Sequence, residues 1–107
     1  MPSDLGPNLR DDWRHLRCRL RDDVAVTDLG DQLVLLDPRN QEMFALDAVG
    51  RFIWQALPDS TLAAIADALA ERYRIDPATA RNDLTDLVRQ LEGAGLLRVE
   101  GAGTPDP

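Results

Sequence analysis

Residues 33–57, LVLLDPRNQEMFALDAVGRFIWQAL, decide the fold of this 107-residue chain. Leu33, Val34, Leu35 and Leu36 make a short apolar run that ends at Asp37-Pro38-Arg39-Asn40, where proline presets the φ of a type I turn. A second apolar run follows at residues 43–46, so the stretch opens as a β-hairpin. Asp47 then stands where an N-cap carboxylate accepts from the open amides of a helix start. Val49, Phe52, Ile53, Ala56 and Leu57 recur at helical spacing, whereas Phe44 and Leu46 share one strand face. The predicted order is strand, turn, strand, helix, with the rest of the chain built to cover it.

Upstream, Val24-Ala25-Val26-Thr27 has the β-branched content of a strand, and Gly30-Asp31 turns it into Leu33. A three-stranded antiparallel meander over roughly residues 23–28, 32–37 and 42–46 is expected. Before it, Trp13, Leu16, Cys18 and Leu20 alternate with His15, Arg17, Arg19 and Arg21; the alternation favours a strand, with a short helix over residues 11–19 as the alternative. Residues 1–12 hold two prolines and a glycine with little apolar periodicity, so residues 1–15 are expected to be a flexible arm.

Downstream the period becomes helical. Thr61 can cap a helix carrying Leu62, Ile65, Ala66, Leu69 and Tyr73. Asp76-Pro77 supplies a cap and a proline at the first helical position, with Leu84, Leu87, Val88 and Leu91 as the next stripe. Gly95 suits the left-handed residue of a Schellman end, with Leu96 folding back, and a short last strand follows at residues 96–99. Residues 100–107 have the composition of a disordered tail, leaving one folded domain over residues 16–99. The expected class is α+β, a winged helix-turn-helix-like domain with its meander first and three α-helices after.

Charge and composition remove several functions. Nineteen acids against 12 bases, all arginine, give a net charge of −7, and 44% apolar residues are ordinary for one soluble domain. A chain of pI about 4.5 offers no general basic face for phosphate, so no nucleic acid partner is expected. A single cysteine makes no internal disulfide, and neither a signal-peptide pattern nor a long apolar run is present; a cytoplasmic protein without a membrane partner is expected. No catalytic, cofactor or metal site is read. There is no CxxC and no second histidine, and Gly93-Ala94-Gly95 follows a helix where a phosphate cradle precedes one. Cys18 and His15, three apart on a strand, would face opposite ways.

The run LVLLD, a turn, MFALDAVGRFIW, then TLAAIADALAERY and IDPATARNDLTDLVRQLEGAGLL resembles the PqqD-like family, the recognition elements for precursors of ribosomally made, modified peptides. The resemblance covers residues 24–97 and rests on Phe44, Leu46, Gly50, Ile53-Trp54, Tyr73, Asp83 and the Gly95-Leu96-Leu97 exit. The chain has Asp47 where many members have Asn, a mild departure because either side chain caps, and Asn40 or Gln41 where many have Gly. The compact LLDPRNQEMFALD segment is more similar to the lasso-peptide proteins than to those of pyrroloquinoline quinone (PQQ) pathways.

The resemblance implies a chaperone without chemistry of its own. It would bind the leader segment of a precursor peptide and hand it to a modifying enzyme or leader peptidase. The leader would dock on the strand Glu42, Met43, Phe44, Ala45 and Leu46, facing the last helix. An open strand edge gives an incoming chain main-chain hydrogen bonds, with specificity from side-chain pockets. On the last helix, Asp83, Asp86, Leu87 and Gln90 are the expected groove residues, because acids beside an apolar floor select an apolar anchor near Lys or Arg. The plainer alternative makes Asp83 and Asp86 solvated helix surface. Trp54 is expected in the core. A winged-helix DNA-binding module is the competing function, opposed by three acids against two arginines on its recognition helix. Another is a protein-interaction domain, a homodimer paired at the open edge or swapped through its arm, in place of a monomer.

Overall fold

The computed structural model of the chain describes residues 15–101. Most of the expected arm, with Trp13, and residues 102–107 of the expected tail lie outside the described residues. The elements run β1 (Leu16–Leu20), β2 (Ala25–Asp28), β3 (Leu33–Asp37), β4 (Glu42–Leu46), α1 (Ala48–Ala56), α2 (Leu62–Tyr73), α3 (Pro77–Gly93) and β5 (Leu97–Gly101). The alternation upstream of the meander resolves as a strand and not as a helix. β5 runs two residues past the expected domain limit at 99.

The strands form two sheets. β2, β3 and β4 make the antiparallel meander in that order, with Ala25 opposite Leu36, Leu36 opposite Met43 and Leu33 opposite Leu46. β1 and β5 pair as a separate antiparallel ribbon, Leu16 opposite Gly101 and Leu20 opposite Leu97. Alternation assigns the faces. Leu33, Leu35, Leu46 and, partly, Phe44 turn inward, whereas Met43 and Ala45 are exposed on the other face.

Each helix starts on its expected cap. The Asp47 carboxylate accepts from Gly50 N–H at 2.9 Å, the Thr61 hydroxyl from Ala64 N–H at 3.2 Å and the Asp76 carboxylate from Ala78 N–H at 3.0 Å. α3 ends as a Schellman motif: Leu96 N–H donates to Leu91 C=O, Gly95 N–H donates to Glu92 C=O, and Gly95 has φ +80. The inward stripes meet in one core of Leu16, Leu35, Ile53, Leu57, Leu69, Leu84, Val88 and Leu91, with Trp54 buried beside them. Each buried leucine there contributes about 1.5–3 kcal/mol by leaving water.

Arg74 closes α2 in the left-handed region, φ 54, where a β-carbon is strained. Replacing it with glycine removes that strain and is expected to raise stability by about 0.5–1 kcal/mol, read as a higher urea midpoint with an unchanged slope.

Candidate functional site

The meander has two outer edges, β2 and β4, and hydrogen-bond parity shows which groups β4 leaves open. Leu29 N–H donates to Gln32 C=O and closes the first hairpin, so Val34 and Leu36 bond toward β2. Leu33, Leu35 and Asp37 therefore bond toward Leu46, Phe44 and Glu42. Met43 and Ala45 are left with their N–H and C=O groups pointing away from the sheet, along the β4 edge, which no described strand covers.

Beside the end of that strand lies a groove of about 330 Å³. One wall is Asp83, Asp86, Leu87 and Gln90 of α3; the other is Asp47 with Val49, Gly50 and Ile53 of α1. Positions 83, 86, 87 and 90 fall on one flank of α3 because three- and four-residue steps return to the same side of a helix. Asp83, Asp86 and Gln90 are exposed, Leu87 is half-buried, and Ile53 is buried, so the groove has a carboxylate rim and an apolar floor. Glu42, Met43, Phe44 and Ala45 do not line it; Leu46 is buried in the core, and only its successor Asp47 reaches the rim. The chemistry the groove suits is an apolar side chain flanked by a cation.

The α1 wall was not picked out by sequence, because Val49 and Ile53 read as core stripe and Asp47 as a cap. Gly50 held the only signal. A β-carbon there would stand 2.9 Å from the Leu46 β-carbon, so glycine lets α1 pack hard against the end of β4. Three side-chain ties hold α1 in place: Arg51 donates to Asp28 at 2.8 and 2.9 Å, Gln55 donates to Asp28 at 3.4 Å, and Tyr73 Oη donates to Ala48 C=O at 3.3 Å. The Arg51 guanidinium holds the Asp28 carboxyl at about 2, below the usual carboxylate range.

Cys18 lies buried on β1 and His15 is exposed. Burial, and secondarily Glu92 and Glu100, push the Cys18 thiol up to about 12, which leaves it almost entirely protonated and unreactive near neutral pH. Among the described residues no cluster of metal-ligating side chains occurs, and no helix is long and apolar enough to cross a membrane.

The family model described as coenzyme PQQ synthesis protein D (PqqD) matches residues 32–97. The chain belongs to the PqqD family. That match takes in the second hairpin, all three helices and both walls of the groove. The chain is also similar to the solved structure of TbiB1 in complex with the TbiA(beta) leader peptide, at 34% identity and a TM-score of 0.69, over 82% of this chain and 99% of that one. A lasso peptide synthetase B1 complexed with its leader peptide is 30% identical with a TM-score of 0.70, over 77% of this chain and 98% of that one. No curated protein matches the chain. The α+β class, with the meander preceding three helices, is that of these PqqD-like neighbours.

Proposed function

We propose that this protein binds the leader segment of a ribosomally made precursor peptide and presents it to a separate modifying enzyme or leader peptidase, in a lasso-type pathway. It performs no chemistry itself and works in the cytoplasm. The observation that carries this is the open β4 edge beside a groove, on a chain similar over nearly the full length of two leader-complexed proteins. The leader adds as a strand to Met43 and Ala45, and alternate side chains turn toward Leu87 and Ile53. Asp47, Asp83 and Asp86 favour a leader with Lys or Arg next to its apolar anchor.

Titration of fluorescently labelled leader peptides, taken from small precursor genes near this one, tests the proposal, with a random DNA duplex as control. Saturable binding at about micromolar strength or tighter, with none to DNA, supports it. DNA binding that falls steeply with salt, with no leader bound, overturns it. Neutralising the rim in an Asp83→Asn/Asp86→Asn double variant is expected to weaken a basic leader by roughly 3–10-fold at low salt and hardly at all at high salt. The same titration run at both ionic strengths checks this.

A further inference from the structure

The mean charge of the chain conceals one basic surface. β1 and β5 turn Cys18, Leu16 and Val99 inward, which leaves Arg17, Arg19, Arg98 and Glu100 on the outward face of the ribbon. In register, Arg17 stands opposite Glu100 and Arg19 opposite Arg98. Two guanidinium groups directly across an antiparallel pair repel, so this pairing works against the fold. Arg19 and Arg98 share one carboxylate, Glu100, at 3.4 and 3.3 Å, and their side chains remain 69% and 71% exposed. Beside them opens a cleft of about 600 Å³ that Arg19 and Arg98 flank, with Leu20 in its lining.

This cleft and the leader groove lie on opposite flanks of α3. Leu84, Val88 and Leu91 form the buried stripe; Asp83, Leu87 and Gln90 project from one side of it, and Glu92, which lines the cleft, from the other. A strand seated on β4 therefore leaves the ribbon uncovered. We propose that the outward face of the β1–β5 ribbon, through Arg17, Arg19 and Arg98, docks an acidic strip on the enzyme that receives the peptide, while the groove is filled. The identity of that partner rests on the leader-delivery function proposed above; the chemistry of the surface does not. Guanidinium forks match discrete carboxylates. A nucleic acid or anionic membrane is disfavoured, because the chain as a whole carries −7 and the cleft is also lined by Asp22 and Glu92.

The test is biolayer interferometry of the immobilised leader-processing enzyme encoded beside this chain, with and without saturating leader peptide. Arg19→Gln/Arg98→Gln is compared with the wild type and with Arg72→Gln/Arg74→Gln, which removes equal charge from α2. The ribbon variant is expected to bind the enzyme about tenfold more weakly with or without leader, to bind leader as the wild type does, and to melt no lower, since a repulsive pair is gone. The α2 variant is expected to match the wild type in enzyme affinity. Unchanged enzyme affinity in the ribbon variant, or an equal loss in both variants, overturns the proposal. So does ribbon-dependent binding to duplex DNA or phosphatidylglycerol vesicles without enzyme binding. Loss of leader binding by the wild type, with the enzyme still held through the ribbon, would overturn the leader function and leave this surface standing.

Discussion

Met43→Pro is expected to abolish leader binding, raising the dissociation constant by at least about 100-fold, while the domain stays folded. The two halves of that expectation come from the same parity. Met43 stands opposite Leu36 in a pair whose groups on β4 point outward, so its N–H is lost to an incoming strand and not to β3. Proline at an edge position is tolerated in sheets for that reason. Its fixed φ near −65° nevertheless bends the strand away from the extended path that a docking peptide follows. The side chain itself is 66% exposed, so little core packing changes. Arg72→Ala is the control: its guanidinium lies 5.8 Å from the ring centroids of Phe52 on α1 and Tyr73 on α2, and its loss costs about 0.5–1 kcal/mol of stability with leader affinity unchanged. Equal loss of binding in both variants would move the docking site away from β4. Fluorescence titration with a parallel thermal melt separates the cases.

Asp37→Ala is expected to lower the melting temperature by on the order of 10 °C, the largest stability loss among single polar substitutions in the described residues. Asp37 is the one buried charged residue among them. The Arg21 guanidinium forks onto its carboxylate through two hydrogen bonds of 3.1 Å, and Arg39 N–H donates to it at 3.0 Å. Arg21 also donates to Gly95 C=O at 3.2 Å and to Asp23 at 2.9 and 2.8 Å. One carboxylate thus ties the second hairpin, the end of β1 and the exit of α3. Removing it leaves a half-buried guanidinium without its main acceptor.

Acid has the same effect more gradually. The Arg21 hydrogen bonds hold the Asp37 carboxyl well below the usual carboxylate range, from its ordinary value of 3.8. A depressed folded-state value means the stabilisation is complete above about 3.8 and is lost as pH falls below it toward the folded-state value. Asp28, held at about 2 by Arg51, adds to the same acid limb. Asp37→Asn should flatten that limb without abolishing it, whereas a wild type whose stability is level down to pH 2 would contradict the assignment.

The parts of this molecule set by neighbours in sequence were readable from it. The hairpin at Asp37-Pro38, the caps Asp47, Thr61 and Asp76, and the Schellman exit at Gly95 each depend on chemistry within a few residues, and each stands where local rules place it. The β1–β5 pairing was not readable. Leu16 meets Gly101 across the whole domain, and alternation alone names a strand without naming its partner. Asp37 read only as a turn residue, because Arg21, 16 residues away, becomes its partner only when β1 folds alongside the hairpin end. The groove was half visible: helical spacing gathered Asp83, Asp86, Leu87 and Gln90 on one flank, but the facing wall depends on how closely Gly50 lets α1 approach β4.

Residue-resolved amide hydrogen exchange, recorded with and without a saturating leader peptide, tests strand addition most directly. Strand addition on β4 predicts new protection at Met43 and Ala45, whose N–H groups are open in the free protein, with Val26 and Asp28 on the opposite edge of the sheet unchanged. Protection at the β2 edge, or a saturated complex in which Met43 and Ala45 exchange as fast as before, would contradict it.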